Sequence, residues 1–482
     1  MVKVLSNLEP KIVWGIFEEI TRIPRCSGKE QKIQSWIKSW SKENGIDFKQ
    51  DEVGNILLSR EAVPGYEHLP TLTLQGHQDM VCEKTDESPH NFDTDPIPVK
   101  VEGGKVAADG TSLGADNGIG VALGMALLID PALKEHGKIE VLLTVEEETG
   151  LVGTINMKEG FFTGKRMINL DSEESGIIII GSAGGGGTQY TIPVKLGEVK
   201  GWKGIKVEIT GLLGGHSGVD IHLPRISANK LLAEGLKAVM EQAPLRIMHI
   251  EGGTRPNVIT RSAYCDFLVP EGEAAKALKI LKNWDKNTDR SVEKELKIKV
   301  SEIPAGKSFS EEESDSVIGI MAEVHHGPFS WSKDIEGLVQ TSNNLAIVRT
   351  EEDYVTISVS SRSSVAEDLA KDRAILNEIG EKHGAEVVQP LGYPGWEADV
   401  KSPFLELVSR IYERVIGEKP KITAIHAGLE CGFLGRFDPE LKIVSVGPTI
   451  KNPHSPQEFV HIDSVDEVWH VVRGVAEELG NE

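Results

Sequence analysis

Three carboxylates in a row follow an apolar segment in the first third of the chain. The segment VLLTV, residues 141–145, is typical of a buried strand, and Glu146, Glu147 and Glu148 come directly after it. Adjacent like charges repel, and a buried strand end is a costly place for them unless another group offsets the charge. Such a run is also common on a solvated surface, so the sequence must show what else lies nearby.

Imidazole and carboxylate groups follow other apolar segments in the same way. LTLQG is followed by His77 and Asp79, MINL is followed by Asp171, and Asp116 precedes the helix-like segment NGIGVALGMALLID. A lone His-x-Asp is often surface chemistry, and an Asp before a helix is often only an N-cap. Their recurrence at successive strand ends favours one shared site, because ligands of open α/β sheets bind beyond the carboxyl ends of the strands.

The residue types in these segments indicate a site for divalent metal ions. Imidazole and carboxylate without thiolate suit zinc, manganese or cobalt in a hydrolytic centre. So many candidate ligands favour two ions about 3.5–4 Å apart, with one carboxylate bridging them. We assign the bridge to Asp116, which lies between the other clusters in sequence. His77 and Asp79 share a strand face, so Asp79 is placed to accept the second ring N–H of His77.

Alternating strands and helices must position these groups. Residues 10–45 are expected to form two helices, with Ser27 and Glu30 as a capping box before the second. From residue 55 the pattern predicts an α/β fold around a mixed, mostly parallel sheet. Four consecutive glycines, Gly184–Gly187, suit neither a helix nor a strand and predict a hinge.

A second domain is expected to interrupt the first. Beyond the glycines, half-exposed strands and amphipathic helices predict an α+β domain, and a second Gly/Pro-rich break follows near residue 392. The predicted first domain comprises residues 1–186 and 395–482, and the predicted inserted domain comprises residues 187–394. A chain of 482 residues is long for one hydrophobic core, which also favours two domains.

Composition limits the partners and the compartment. The net charge of −22 argues against nucleic acid and anionic membranes as partners. The longest apolar runs are far shorter than a membrane span and the N-terminus has no secretory pattern, so we expect a cytoplasmic protein. The cysteines lie far apart without a CxxC motif and are expected to be reduced thiols. They are Cys26, Cys82, Cys265 and Cys431.

The ordered motifs of the chain resemble those of one enzyme family. GHQDM, LGADNGIGVA, EEETGLVG, NLDSEE and NPHSPQEFVHI are similar to motifs of the dinuclear zinc peptidases that include carnosinases, aminoacylases and carboxypeptidase G. GGHSGVDIHLPRISANKLL, GGTRPNVI, SSRSS and HAGLECGFLG resemble the aminoacyl-histidine dipeptidase group of that family. The resemblance covers essentially the whole chain. It implies an enzyme that hydrolyses dipeptides, either Xaa-His dipeptides or a broad range of them. It also implies two divalent metal ions, most often zinc, with manganese or cobalt as alternatives.

The resemblance also implies a role for each candidate in the first domain. The pattern Glu-Glu-x-Gly makes Glu147 the general base and leaves Glu146 as an extra residue. The resemblance also implies a cis peptide between Asp116 and Asn117. His454 is favoured over His461 because the last ligand of the family precedes Ser or Thr and then Glu. The implied metal ligands are His77, Asp116, Glu148, Asp171 and His454.

The inserted domain resembles the lid of that family and implies a homodimer formed through it. His216 is the implied group that polarises the scissile carbonyl, and in dimeric relatives this histidine comes from the partner subunit. Asn257 and Arg362 are the implied binders of the substrate carboxylate, because a planar guanidinium can hold both oxygens. Gly428 is implied to line the pocket with backbone.

Other functions remain open at this point. An N-acyl amino acid deacylase shares the implied architecture and differs in its substrate. A non-catalytic metal- or peptide-binding protein on the same fold is disfavoured because every motif position is filled. A dinuclear phosphoesterase is disfavoured because the expected basic residues or phosphate loop do not accompany the metal-binding motifs.

Overall fold

The computed structural model describes residues 4–481. Its helices are α1 (Lys11–Ile20), α2 (Gln31–Glu43), α3 (Ala115–Ile129), α4 (Val152–Asn156), α5 (Ala228–Met240), α6 (Ala274–Asn287), α7 (Glu311–Glu323), α8 (Ala366–Lys382), α9 (Pro403–Ile416), α10 (Glu430–Leu434) and α11 (Ile462–Glu478). Within the described residues, no helix combines the length and apolar character that crossing a membrane requires.

The strands in the first third of the chain are β1 (Asp47–Gln50), β2 (Ile56–Arg60), β3 (Leu72–His77), β4 (Val99–Glu102), β5 (Lys105–Ala108), β6 (Ile139–Thr144) and β7 (Arg166–Asn169). Those in the middle are β8 (Ile177–Ser182), β9 (Gly184–Pro193), β10 (Trp202–Thr210), β11 (Gly215–His216), β12 (Arg246–Gly252), β13 (Val258–Ile259), β14 (Ala263–Pro270) and β15 (Lys297–Ile303). The remainder are β16 (Gly327–Trp331), β17 (Val339–Thr350), β18 (Tyr354–Ser363), β19 (Glu386–Val388), β20 (Lys421–Ile425), β21 (Lys442–Ser445), β22 (Ile450–Lys451) and β23 (Phe459–His461).

The first compact unit comprises the chain up to Gly181, Ala398–Ala424 and the chain from Glu430 onward. Its eight-stranded sheet has the order β1-β2-β6-β3-β7-β21-β8-β20. The inner strands β6, β3, β7 and β21 run parallel to one another, whereas β2 pairs antiparallel with β6 and β8 pairs antiparallel with β21. The predicted mixed α/β fold is confirmed.

Burial explains why these segments form the middle of the sheet. All residues of β3 and β6 are buried, which matches the continuous apolar runs that parallel strands require when both faces are covered. Helix α3 is buried around most of its circumference and packs on β3 and α1, so it carries apolar residues on nearly every side. The segments that carry the candidate residues are therefore held in a fully packed core.

The second compact unit comprises Ser182–Glu397 and Ile425–Leu429. Strands β15, β10, β14, β12, β17, β18, β9 and β19 form a sheet, and β16 adds to it beside β17. Its inner residues pack with α5 and α7 in one hydrophobic core that includes Tyr190, Phe267 and Phe309. Residues 425–429, which the predicted boundaries assign to the first domain, belong to this unit.

The four consecutive glycines are part of a strand, so the expectation that they suit neither a helix nor a strand is wrong. Gly184–Gly187 begin β9 and pair in register with β18. A Cβ atom on Gly184 would lie 2.5 Å from the backbone nitrogen of Gly395, and one on Gly185 would lie 2.4 Å from the hydroxyl of Tyr393. Glycine is required at these two positions because the segment of residues 393–395 packs directly against the strand, a contact that sequence periodicity does not reveal.

The expectation of four reduced cysteines is also wrong for one pair. Cys26 and Cys82 form a disulfide, with Cα atoms 5.7 Å apart and a sequence separation of 56. A backbone bridge between Cys26 and Met80 brings the two segments side by side. Cys265 and Cys431 are free and buried. The pairing was hidden because it depends on tertiary contact and not on spacing.

Candidate active site

The candidate ligands of the first unit meet at one edge of its sheet. Strand β3 lies between the parallel neighbours β6 and β7 and ends at His77. The glutamates follow the end of β6, and Asp171 follows the end of β7. Parallel strands that end together bring these groups to the crevice where α/β sheets bind ligands.

Three of the predicted ligands form a first group. His77 Nε2 lies 3.0 Å from Asp116 Oδ1 and 3.3 Å from Asp171 Oδ1. One ligand atom from each of these residues lies within 4.8 Å of the others. His77 is almost completely buried, at 1% exposure, so its ring is held firmly in this place.

A second group shares one residue with the first. His454 Nε2 lies 3.0 Å from Asp116 Oδ2 and 3.0 Å from Glu148 Oε1. Asp116 thus directs Oδ1 to the first group and Oδ2 to the second, as a bridging carboxylate does. The peptide between Asp116 and Asn117 is cis, as the resemblance implied. Glu148 Oε1 is buried and receives no hydrogen bond, although His454 is close.

The electrostatics of both groups fit bound cations. Burial raises the pKa of Asp171 to about 6. Asp116, which accepts a hydrogen bond from the ring, and the adjacent carboxylate of Glu148 raise the pKa of His454 to about 11. Burial alone would lower the pKa of His77, but Asp171 and Asp116 outweigh it and raise the pKa. The carboxylates thus require positive charge, and a divalent ion supplies it while leaving each imidazole neutral.

Asp79 supports both the histidine and the glutamate turn. Its Oδ1 lies 3.3 Å from His77 Nδ1, the ring nitrogen that faces away from the metal-binding group. The backbone N–H groups of Glu147 and Glu148 donate to Asp79 over 3.1 and 3.3 Å. Burial alone would raise the pKa of Asp79, but the hydrogen bond and charge of His77 lower it to about 2. Asp79 is therefore an anion placed to orient a candidate ligand, as the partners of metal-binding histidines commonly are.

The three consecutive glutamates have different surroundings. Glu148 belongs to the second group, and an oxygen of Glu147 lies within 4.8 Å of ligand atoms of His77 and Glu148. Burial and then the neighbouring carboxylates, Asp171 among them, raise the pKa of Glu147 well above its usual range. Glu146 belongs to neither group, has a φ of 48°, and donates its N–H to Glu30. A carboxylate with a raised pKa suits proton transfer near neutral pH.

The predicted capping box before α2 is wrong, and its residues serve the site instead. Helix α2 begins after Glu30 without a side-chain cap. Ser27 Oγ donates to Asp79 Oδ2 over 2.8 Å, and Glu30 Oε1 accepts the N–H groups of Gly28 and Glu146. Ser and Glu three residues apart are typical of a cap, so sequence alone could not separate the two arrangements.

Two buried charged residues that the sequence interpretation missed hold the loop before Asp116. The carboxylate of Glu458 accepts four consecutive backbone N–H groups, those of residues 113–116, over 2.8, 2.9, 2.7 and 3.2 Å. The guanidinium of Arg25 donates to the carbonyls of Gln78, Asp79 and Gly114. Glu458 lies four residues after His454, and that proximity in the motif PHSPQE was the available signal.

A further buried glutamate, also missed, lies beneath the glutamate turn. Glu430 accepts hydrogen bonds from Gln75 Nε2 over 2.5 Å and Thr144 Oγ1 over 2.8 Å. Burial raises its pKa to about 7. Glu430 lies in the motif HAGLECG, and its place in that motif was the available signal. Glu430 ties β3 to β6 close to the point where both strands end.

The second unit brings together its own group of polar residues. His216 Nδ1 accepts N–H groups from Gly218 and Val219, which leaves the proton of the neutral ring on Nε2. Burial and the charge of Arg362 lower the pKa of His216, so the ring is a neutral donor. Arg362 Nη1 donates to the hydroxyl of Tyr393 over 2.7 Å, and its buried Nε has no hydrogen-bond acceptor.

The remaining predicted binding residues of this unit differ in exposure. Gly428 packs closely on Tyr393, because a Cβ atom there would lie 2.8 Å from the ring. Asn257 is exposed, and its carbonyl accepts the N–H of Ser217, next to His216. His426, which was not predicted, lies 2.8 Å from Ser342 Oγ, and burial lowers its pKa to about 3.

Comparison with known proteins agrees with this fold and site. The sequence matches Peptidase family M20/M25/M40 over residues 73–478, and the chain belongs to that family. The predicted family and enzyme class, a hydrolase of peptide bonds, are confirmed. The cytosol non-specific dipeptidase of Escherichia coli (strain K12) is 37% identical over 98% of this chain and 99% of that protein.

Solved structures show the same relationship. The aminoacylhistidine dipeptidase from Vibrio alginolyticus superposes with a TM-score of 0.91 at 34% identity, over 98% of this chain and 97% of that one. Human carnosine dipeptidase 1 superposes with a TM-score of 0.51 at 13% identity, over 98% of this chain and 96% of that one, which shows a shared fold alone. The architecture is thus that of a metallopeptidase family.

Proposed function

We propose that this protein is a metal-dependent dipeptidase, with Xaa-His or broad specificity. The observation that carries the proposal is the pair of three-residue ligand groups joined by the two oxygens of Asp116. The similarity to two dipeptidases over nearly the whole chain supports the substrate class. We further propose that the ions are zinc, with manganese or cobalt as replacements.

The proposed metal ligands divide between the two groups. His77 and Asp171 would hold the first ion, Glu148 and His454 the second, and Asp116 both. When bound, the two ions would polarise the scissile carbonyl and acidify a water molecule. The position of Glu148 supports this assignment, since its buried Oε1 lies 3.0 Å from the Nε2 of the other proposed ligand His454, and a buried carboxylate is costly unless positive charge neutralises it.

Glu147 is proposed to move the proton. Its raised pKa, caused by burial and neighbouring carboxylates, suits a group that takes a proton from water and returns it to the leaving amine. Asp79 keeps the Nδ1 proton of His77 in place and fixes the N–H groups of Glu147 and Glu148, so it positions the base as well as a ligand.

The polar group of the second unit is proposed to bind the substrate. The Nε2–H of His216 is a neutral donor suited to a carbonyl oxygen that gains negative charge. The free Nε of Arg362 supports a role for its guanidinium in binding the C-terminal carboxylate of a dipeptide, with Asn257 and the backbone of Gly428. Residues 187–394 would then act as lid and dimerisation domain of a cytoplasmic homodimer, as the family resemblance implies.

A substrate panel tests the proposal. The purified protein is stripped of metal, reloaded with zinc, manganese or cobalt, and assayed with Xaa-His dipeptides, other dipeptides and N-acetyl amino acids. We expect metal-dependent hydrolysis of dipeptides that exceeds hydrolysis of the N-acetyl compounds. Preferential hydrolysis of N-acetyl amino acids would make the protein a deacylase instead. Binding of dipeptides without turnover under any metal would contradict an enzymatic function.

A further inference from the structure

We propose that the segment Arg25–Ser27 positions the Asp79 carboxylate, and that the Cys26–Cys82 disulfide makes this positioning depend on the thiol redox state. The disulfide is the one covalent cross-link among the described residues, and it lies beside the candidate metal site. This inference rests on the proposed function only in the experiments that measure dipeptide hydrolysis.

The two residues that flank Cys26 both contact the segment of Asp79. Ser27 Oγ donates directly to Asp79 Oδ2 over 2.8 Å. The fully buried guanidinium of Arg25 donates to the carbonyl of Asp79 over 2.7 Å and to that of Gln78 over 3.0 Å. The N–H of Met80 donates back to the Arg25 carbonyl over 3.1 Å. The disulfide therefore cross-links two segments that also share these hydrogen bonds, and Asp79 accepts two of them.

A displacement of Asp79 would reach two parts of the site at once. One carboxylate oxygen lies 3.3 Å from the ring nitrogen of His77, and the carboxylate accepts the N–H groups of Glu147 and Glu148. Loss of the Ser27 hydrogen bond would thus loosen a metal ligand and the turn that carries the proposed base. Such supporting partners of metal ligands typically change metal affinity about 10–100-fold when altered.

The disulfide is open to a small thiol. Both cysteines are only partly buried and line a cleft of about 520 Å³. Lys29 and Lys84 lie on the same cleft, and their ammonium groups donate to Asp93 and to the carbonyl of His90. Nearby cations favour the thiolate form of a cysteine, which is the form that exchanges.

The redox step is an ordinary thiol–disulfide exchange with a small-molecule thiol such as glutathione. A glutathione thiolate attacks one sulfur of the pair, the protein S–S bond breaks, and the other cysteine leaves as a thiolate and takes up a proton. A second glutathione thiolate attacks the mixed disulfide and releases oxidised glutathione and the second cysteine. Two electrons pass from two glutathione molecules to the protein pair, and oxidised glutathione reverses the reaction.

Glutathione buffers of defined ratio test the proposal on the full-length protein. Free thiols are counted after denaturation, zinc affinity is measured by competition with a chelator, and kcat and KM are measured separately on a dipeptide. In reduced glutathione we expect two additional thiols, a zinc affinity about tenfold lower and a lower kcat with little change in KM. The double variant Cys26→Ala/Cys82→Ala should show the lower zinc affinity and the lower kcat in every buffer. Cys265→Ala should respond to the buffers as the wild type does.

Ser27→Ala separates positioning from the disulfide itself. With the pair oxidised, this variant should keep its fold by circular dichroism and still lose about tenfold in zinc affinity. The proposal is overturned if opening the pair, or removing the Ser27 hydroxyl, leaves zinc affinity and kcat unchanged. It is also overturned if oxidised glutathione forms no bond between Cys26 and Cys82. A protein that hydrolyses no dipeptide would refute the proposed function, while zinc affinity would still decide this inference.

Discussion

Glu458→Gln is the substitution for which the structure gives the sharpest expectation. In the folded protein one carboxylate oxygen accepts the N–H groups of Leu113 and Gly114, and the other accepts those of Ala115 and Asp116. Glutamine keeps one oxygen and replaces the other with an NH₂ group. Two backbone N–H groups would then face a donor in a buried place.

The cost follows from the number of lost acceptors. A buried donor left without a partner costs about 1–3 kcal/mol, so two would cost about 2–6 kcal/mol before the loop relaxes. We expect a loss near the middle of that range, about 3 kcal/mol, in the free energy of unfolding of the metal-free protein. Because the same loop ends in Asp116, we also expect zinc affinity to fall at least about tenfold.

Two measurements separate these effects. Urea unfolding in excess chelator measures how the substitution changes the free energy of unfolding of the metal-free protein. The chelator is needed because a bound ion would add its own stabilisation. Chelator competition then reports zinc affinity. Glu440→Gln is the matched control, because Glu440 forms an exposed ion pair with Lys165 and should cost less than about 1 kcal/mol. An unfolding free energy and a zinc affinity equal to the wild-type values would refute the role assigned to Glu458.

Three further predictions concern other parts of the chain. Glu147→Gln should retain both ions by metal analysis and lose about 10²–10⁴-fold in kcat, whereas normal turnover would exclude it as the base. Glu148→Gln should instead lose one ion per chain, and two retained ions would remove it from the ligand set. His426 has a folded pKa of about 3, below its unfolded value of about 6.5, so its contribution to stability is lost as the pH falls between these values. Between pH 7 and pH 5, the free energy of unfolding measured in urea should therefore fall by about 2 kcal/mol more for the wild-type protein than for His426→Gln. An equal fall in both proteins would contradict the low pKa.

The elements that carry the candidate ligands were predictable because each has a strong local signal. Continuous apolar runs identify β3 and β6, and a helix apolar on nearly every side identifies α3. The convergence of the candidate residues followed from a general property of parallel sheets and not from any single motif. The order of the motifs along the chain was sufficient to identify the family.

The residues that support the site were not predictable in the same way. Glu458 and Arg25 bind backbone atoms from distant segments, and although Glu458 lies in the motif PHSPQE, its spacing from His454 does not reveal these partners. Cys26 meets Cys82, and Gly185 meets Tyr393, only after the tertiary structure has formed. Ser27 has the local pattern of a helix cap, but Asp79 competes successfully for its hydroxyl.

The order of the strands has a consequence for how the protein is made. Strand β21, which begins at Lys442, lies between β7 and β8 in the sheet, and His454 and Glu458 come later still. A ribosome therefore releases His77, Asp116, Glu148 and Asp171 long before the segments that complete their surroundings. The proposed two-ion centre therefore cannot be complete on the nascent chain before the segment that carries His454 and Glu458 has left the ribosome.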